Sequence, residues 1–388
     1  HERAARPWEI ATAGAASLLV ELTILRWLPG QIRVLGYFTN FVLLAAFVGL
    51  GAGMLAVRRW PTAERIAWSA PLALVALLPF SQLGRGLRVM SSPDEVLFLE
   101  YQTNATKVPL FPFLALAYLL IASTFVPIGF WVGRTLSGDR PLARYGWNVA
   151  GSLAGIAAFA ALSAAGARPF TWMALALVPL LAALATAPRR WQVAGLAAGV
   201  VLTAGVWQGT RDAVWSPYQK ISTAPLRFHP ELGIVQEWNV PQLPADVRAA
   251  LEDLPEEAGF TVRVNEDSYQ TPLDLSDASI AKRRSLGPLR LQYDLPYLSR
   301  PPGRVLVLGA GTGNDVAAAL RAGAVAVDAV EIDPEILRLG RRHPEKPYDD
   351  PRVRAHLADA RTFLAQTSGR FDTIVYGLLD SHVLLSSM

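Results

Sequence analysis

The sequence predicts a polytopic α-helical membrane domain over 1–207, a small β-rich domain with loops over 208–300, and a doubly wound α/β domain over 301–388 that stops after its fourth strand. Three observations predict this order. Long apolar runs fill the first half, and only 8 of the 32 acidic residues lie before residue 201, leaving 24 for the rest. Between 208 and 300 the pattern changes to short alternating runs. From Arg304 a continuously apolar stretch, VLVLG, leads into glycines and then a helical pattern, as expected for a parallel strand covered on both faces.

The membrane domain has seven candidate spans, at 10–30, 36–57, 67–84, 108–133, 146–166, 169–187 and 191–207. Each is near the ~17 to 25 residues that cross a hydrocarbon core as helix, and their repetition excludes a cleaved signal peptide. GLGAG at 49–53 and GSLAGIAAFAA at 151–161 supply small residues for close helix packing. Arg58, Arg59 and Arg65 flank one loop, Arg134, Arg140 and Arg144 another, and Arg189 with Arg190 a third. The positive-inside tendency places these loops in the cytoplasm, in a multi-pass protein of the inner (plasma) membrane whose partner is the lipid bilayer. Seven spans would then leave the soluble part outside, so one of the short ones, 67–84 or 191–207, is expected to be re-entrant or interfacial. Within the first span, Glu21 and Arg26 are five residues apart and do not share a helical face.

Composition narrows the chemistry. There is no cysteine, and His1, His229, His343, His356 and His382 form no HxxxH or HExxH pair, so no metal is expected. The net charge is +4, but the arginines sit in short loops between apolar runs, and no nucleic-acid partner is expected. In the β-rich part, 218–222, 232–240 and 260–270 read as strands, 244–254 as a helix, and 271–290 as a loop carrying an exposed basic turn at 282–284.

The last part reads as a nucleotide site. Gly309, Ala310, Gly311, Thr312 and Gly313 form a glycine cradle between the first strand and a helix that ends near Gly323. Glu331 stands 22 residues after Gly309, at the end of the second strand, where a carboxylate can accept both ribose hydroxyls. Asp333 is placed to cap the next helix, with Pro334 in its first turn. A third strand at 353–358 ends in Asp359, which either caps the helix opening at Ala360 or accepts from an adenine amine. A fourth strand, TIVY, ends at Gly377. An NAD site would share the cradle and Glu331, so spacing alone does not separate NAD from other adenosine cofactors. The sheet normally has three more strands, and an open edge invites pairing. They are expected beyond residue 388 or from another chain, as in a homodimer.

These motifs resemble the membrane-anchored branch of the spermidine synthase (polyamine aminopropyltransferase) family, whose soluble part joins a small β domain to a class I methyltransferase-type sheet. The likeness runs from about 215 to 382, through SPYQKI at 216–221, NEDSYQ at 265–270 and the cradle. It extends more loosely to SLLVELTILRWL at 17–28, FVGLGAG at 47–53 and YGWNVAGSLAG at 145–155. The resemblance implies S-adenosylmethionine or its decarboxylated form as donor. Gln219, the cradle, Glu331, Asp333, Asp359 and Ala360 would hold that donor, Tyr269 and Gln270 the acceptor, and Asp380 would be catalytic. The sequence departs from the family where Thr312 replaces the Asp of GGGDGG and Gly377 replaces the first Asp of D-S/T-x-D-P, and where no D-E-x-x-Y-H segment follows Gln270. Asp315, Tyr376 and His382 are the nearby groups able to assist Asp380. Three readings follow: aminopropyl transfer to a small amine, methyl transfer to a lipidic or small acceptor, and a catalytically inactive nucleotide-sensing scaffold or transporter.

Overall fold

The structure is a computed structural model that describes residues 5–60, 63–85, 87–90, 106–229, 233–236, 245–252 and 259–377. Internal contacts divide the chain into two units, with the boundary at Lys220 and Ile221.

The first unit contains α1 (Pro7–Trp27), α2 (Arg33–Tyr37), α3 (Thr39–Arg59), α4 (Arg65–Trp68), α5 (Ala70–Val75), α6 (Leu77–Arg85), β1 (Leu87–Met90), β2 (Thr106–Pro109), α7 (Leu110–Leu136), α8 (Pro141–Ala164), α9 (Pro169–Ala183), α10 (Arg189–Thr210) and β3 (Val214–Trp215). Seven helical stretches are long and apolar enough to cross a membrane: Pro7–Trp27, Asn40–Arg59, Arg65–Gly84, Leu110–Leu136, Pro141–Ala164, Pro169–Thr186 and Arg189–Thr210. The third, one of the two short spans singled out in the sequence, is broken into α4, α5 and α6. Pro71, in the first turn of α5, brings no N–H to continue the ladder of α4. Helix α1 begins with a proline at its first turn and a cap in which the Arg6 N–H donates to Glu9 Oε2 at 2.7 Å.

Packing in this unit is backbone against backbone. A Cβ on Gly14 of α1 would lie 2.3 Å from Asn148 O of α8, and one on Gly151 of α8 would lie 1.8 Å from Ala11 O of α1. Only glycine allows that approach. The crossing of α3 and α7 has the same character at Gly49, Gly53 and Gly129. The interior is apolar, with Ile24, Trp27, Phe125 and Trp172 buried, yet Leu116, Leu119, Leu142, Leu153, Val193 and Val200 are exposed on the outside. Helices apolar on both faces suit a non-aqueous surround. Arg26 turns its guanidinium inward, donating to Ser163 Oγ at the end of α8 and to Ser216 O beyond α10, over the face of Trp172 at 4.6 Å.

In the second unit an antiparallel sheet precedes a parallel one. Strand β4 (Lys220–His229) pairs with β5 (Gly233–Gln236) and with β6 (Gly259–Val264), and β6 pairs with β7 (Asp267–Gln270). Helix α11 (Ala245–Glu252) lies between β5 and β6 in sequence. Two expectations are corrected here. The stretch 260–270 is a hairpin, because Asn265 and Glu266 both take positive φ (49° and 66°) and reverse the chain between β6 and β7. The expected loop at 271–290 contains α12 (Asp277–Lys282) and opens α13 (Gly287–Asp294). Ser276 caps α12 by accepting from the Ser279 N–H, and Pro288 stands in the first turn of α13.

The α/β part runs β8 (Arg304–Leu308), α14 (Asn314–Arg321), β9 (Ala326–Glu331), α15 (Pro334–Gly340), β10 (Val353–Leu357), α16 (Ala360–Gln366) and β11 (Thr373–Tyr376). All four strands are parallel, in the order β10-β9-β8-β11. Alternate residues of β8 serve two cores: Val305 and Val307 pack with Val316 and Ala319, and Leu306 and Leu308 pack with Val330 and Phe363. The first two crossovers add strands on one side of β8 and the third adds β11 on the other. The strand order therefore reverses at β8, and a crevice opens there at the carboxyl ends of the strands.

The α1 and α8 crossing gives the first testable expectation. Gly151→Val should lower the melting temperature of the detergent-purified full chain by roughly 5 °C or more, because overpacking costs about 1–3 kcal/mol. Gly146→Ala, where an added Cβ meets nothing within 4 Å, should leave it unchanged or slightly raised.

Candidate functional site

The loop after β8 is the centre of the candidate site. Gly309, Gly311 and Gly313 have φ of 69°, 57° and 108°, so the turn is left-handed at three alternate positions. Side chains from elsewhere hold this irregular backbone. Glu331, buried at the end of β9, accepts from the Gly311 N–H through Oε2 at 2.9 Å and from the Asp333 N–H through Oε1 at 2.9 Å. Gln270, the last residue of β7, accepts through Oε1 from the Thr312 N–H at 2.7 Å and from the Thr312 hydroxyl at 2.8 Å. The Tyr348 hydroxyl donates to Gly311 O at 2.8 Å.

Protein groups already fill the space beside two of the glycines. A Cβ on Gly311 would fall 2.1 Å from Gln270 Nε2, and one on Gly313 would fall 2.7 Å from Pro347 and 3.0 Å from Tyr348. Gly377, at the exit of β11, approaches the loop as closely, since its Cβ would lie 2.4 Å from Gly309 O.

Behind the loop, Asn314 opens α14 and joins three segments. Its Nδ2 donates to Thr271 O and to Tyr293 Oη, each at 2.9 Å, while its Oδ1 lies 2.8 Å from His343 Nε2. His343 Nδ1 accepts from the Glu345 N–H at 3.1 Å, which puts the ring proton on Nε2 and makes Asn314 Oδ1 its acceptor. Arg321 closes the back wall with bonds to Glu345 at 2.7 Å and Asp294 at 3.0 Å.

Burial sets the electrostatics. It raises the Glu331 carboxyl, against which the Asp333 and Gly311 N–H bonds act to lower it. Burial also lifts Asp315, the second residue of α14, to about 6, in the range of a proton acceptor near neutral pH. It pushes His343 down to about 4, with the Arg321 charge acting in the same direction. The Tyr348 phenol is raised by burial and then by the Glu331 charge.

The structure brings Gln270, the cradle, Glu331 and Asp333 together. Ala310 is buried in the core under the loop, and Asp333 caps α15 by accepting from the Glu335 N–H at 2.9 Å. Tyr269 precedes Gln270 on β7, half-buried. Asp359 is exposed and caps α16, where Ala360 is the first helical residue, accepting from the Thr362 N–H at 2.8 Å, a bond that lowers its pKa. Gln219 belongs to the first unit, where its N–H donates to Ser216 Oγ at 3.0 Å. Its buried Oε1 has no hydrogen-bond partner among the described residues. Asp380 and His382 lie outside the described residues. Sequence reasoning missed Tyr348, Asn314, Tyr293 and the use of His343. Asn314 alone carried a signal, a polar residue directly after the glycines.

Comparison with known proteins agrees on the fold of this unit. Residues 305–385 match a family described as a methyltransferase domain. Over 85 residues the chain is 27% identical to the polyamine aminopropyltransferase of Korarchaeum cryptofilum (strain OPF8), covering 21% of this chain and 26% of that protein. Over 94 residues it is 34% identical to polyamine aminopropyltransferase 2 of Bacillus anthracis, covering 22% and 26%. The chain thus spans 26% of the length of each of these curated relatives. Spermidine synthase from Thermotoga maritima aligns at 15% identity with a TM-score of 0.28, over 45% of this chain and 50% of that one, a likeness too partial to bear on activity. The C-terminal part is a Rossmann-like, methyltransferase-type domain on a parallel sheet.

Asp315 and His343 make opposite contributions to stability in one pH window. Between about 4 and 6.5 the unfolded chain protonates His343 while the folded chain does not, so this term weakens the fold as pH falls. Between 3.8 and about 6 the folded chain keeps a proton on Asp315 that the unfolded chain has lost, so this term weakens the fold as pH rises. Each is worth about 3 kcal/mol across its window. Asp315→Asn should therefore remove one of the two opposing terms, so that stability gains about 3 kcal/mol more between pH 4 and 6.5 than in the unmodified chain, read from denaturant midpoints.

Proposed function

We propose that the second unit is the catalytic part of a transferase using an S-adenosyl-type sulfonium donor, carried by a helical unit that crosses the inner membrane and leaves the catalytic part in the cytoplasm. The observation that carries it is Glu331, a buried carboxylate at the tip of the second strand, beside the reversal point of a parallel sheet. Each of its oxygens accepts one backbone N–H and keeps a lone pair for a ribose hydroxyl. When bound, the donor supplies a carbon made electrophilic by sulfonium. The chain's part is to hold the nucleoside at Glu331, seat the rest along the loop, and admit an acceptor past Gln270.

Methyl transfer to a lipidic or small acceptor is the reaction the geometry supports best. Polyamine nitrogens are mostly protonated at neutral pH, so one needs a base and the other a compensating anion. The loop offers Thr312, buried and bonded to Gln270, and Gly377 has no room for a side chain. Asp315, at the start of α14, is a carboxyl whose raised pKa suits it to accept a proton near neutral pH. Aminopropyl transfer to an amine is the second reading, favoured by similarity to polyamine aminopropyltransferases over part of the chain.

Calorimetry on the full chain should show binding of S-adenosylmethionine and methylthioadenosine but not of NAD. Glu331→Ala should weaken both by about tenfold to a hundredfold, the roughly 1.5–3 kcal/mol of a hydrogen bond to a charged group. NAD binding without sulfonium binding would overturn the proposal. Gly377→Asp should not create spermidine synthesis from putrescine and should reduce nucleoside binding, because its Cβ would displace Gly309. Efficient spermidine formation by the unmodified chain from decarboxylated S-adenosylmethionine would establish the second reading instead. Reporter fusions after residues 62, 140 and 210 should all report the cytoplasmic side.

A further inference from the structure

The Thr312–Gln270 pair has a consequence for which donor the site accepts. A glutamine amide can be turned either way, but a backbone N–H cannot face an amide nitrogen, so the Thr312 N–H at 2.7 Å compels Oε1 to face the loop. The Thr312 hydroxyl, at 2.8 Å, adds a second bond to the same oxygen. Both fixed bonds are on Oε1, and Nε2 donates to no protein group among the described residues. The amide lies against Gly311, with Nε2 2.1 Å from where a Cβ there would sit. Gly311 is the residue whose N–H is bonded to Glu331. The Gln270 donors and the Glu331 acceptor therefore flank one short piece of backbone, Gly311 and Thr312.

We infer that Gln270, oriented by Thr312, is a specificity-determining residue that presents N–H donors to the amino-acid tail of the donor, so that the site selects a sulfonium compound retaining its α-carboxylate over the decarboxylated one. This rests on the sulfonium-donor reading above. A carboxylate accepts from amide N–H groups, whereas an aminopropyl tail ends in an ammonium that only donates and meets a donor. A site built to hydrogen-bond one group discriminates against an analogue lacking it.

The test uses the full chain in detergent with three ligands: S-adenosylmethionine, its decarboxylated form, and methylthioadenosine, which has no charged tail. The unmodified chain should bind S-adenosylmethionine at least about tenfold more tightly than the decarboxylated compound, with methylthioadenosine as the reference for the nucleoside part alone. Gln270→Glu keeps an oxygen for the Thr312 N–H and hydroxyl but replaces the outward NH2 by a second oxygen. It should reverse the preference between the two sulfonium compounds, each affinity taken relative to methylthioadenosine in the same variant. Equal affinities for the two sulfonium compounds in the unmodified chain, or an unchanged ratio in Gln270→Glu, would overturn the inference and leave the sulfonium reading standing. Failure of all three ligands to bind would overturn that reading and this one with it. Loss of methylthioadenosine binding in Gln270→Glu alone would show that residue 270 shapes the cradle rather than reading the tail.

Discussion

The bond pair made by the Glu331 carboxylate is the constraint on which the second unit depends. Three residues of the loop after β8 have positive φ; the Gly309 and Gly313 N–H groups donate to backbone carbonyls, of Val330 and Ala310, and that of Gly311 donates to a side chain. Gly311 is buried, so its N–H needs a fixed acceptor, and Glu331 supplies one from the neighbouring strand. The same carboxylate anchors the Asp333 N–H, and Asp333 in turn caps α15. One side chain thus ties the exit of β8, the exit of β9 and the start of the next helix. Its cost is desolvation of a charge, which the two N–H bonds offset. Gln270 grips the next residue of the loop from the antiparallel sheet, so the two sheets of this unit are joined at the candidate site itself.

The first unit solves its packing by other means. Polar bonds between its helices are few among those described, and the close contacts are glycine Cα against carbonyl, at α1 with α8 and at α3 with α7. In an apolar surround there is little hydrophobic gain in joining helices, so close van der Waals approach takes its place. That explains how Gly14, Gly151 and Gly155 occupy the interface while Leu142, Leu153 and Ile156 of α8 point outward.

Much of this was legible in the sequence because each signal had one local cause. Apolar run length marked the helices, VLVLG marked a strand covered on both faces, and the interval from Gly309 to Glu331 brought two strand ends together. The hairpin at Asn265 and Glu266 was not legible, because the usual marker of such a turn is glycine and Glu266 is a rare occupant of positive φ. Helix α12 was missed because its 6 residues are too short for a period to show, and α13 because it opens with Gly287 and Pro288, which read as a turn. Tyr348 and His343 could not be found from spacing at all. Their roles depend on a loop folding back from β10's approach onto α14, and nothing in the residues 341–352 announces that path.

The inward turn of Arg26 bears on how the chain is made. Two of its partners, Ser163 and Ser216, lie 137 and 190 residues further along. Helix α1 is synthesised first, so these two acceptors become available only when α8 and then the segment beyond α10 have emerged. During that interval the charge at the end of α1 stays in water or among headgroups, where a long side chain can reach. The inward seat of this guanidinium is therefore completed only late in synthesis, and contacts of such long range slow assembly.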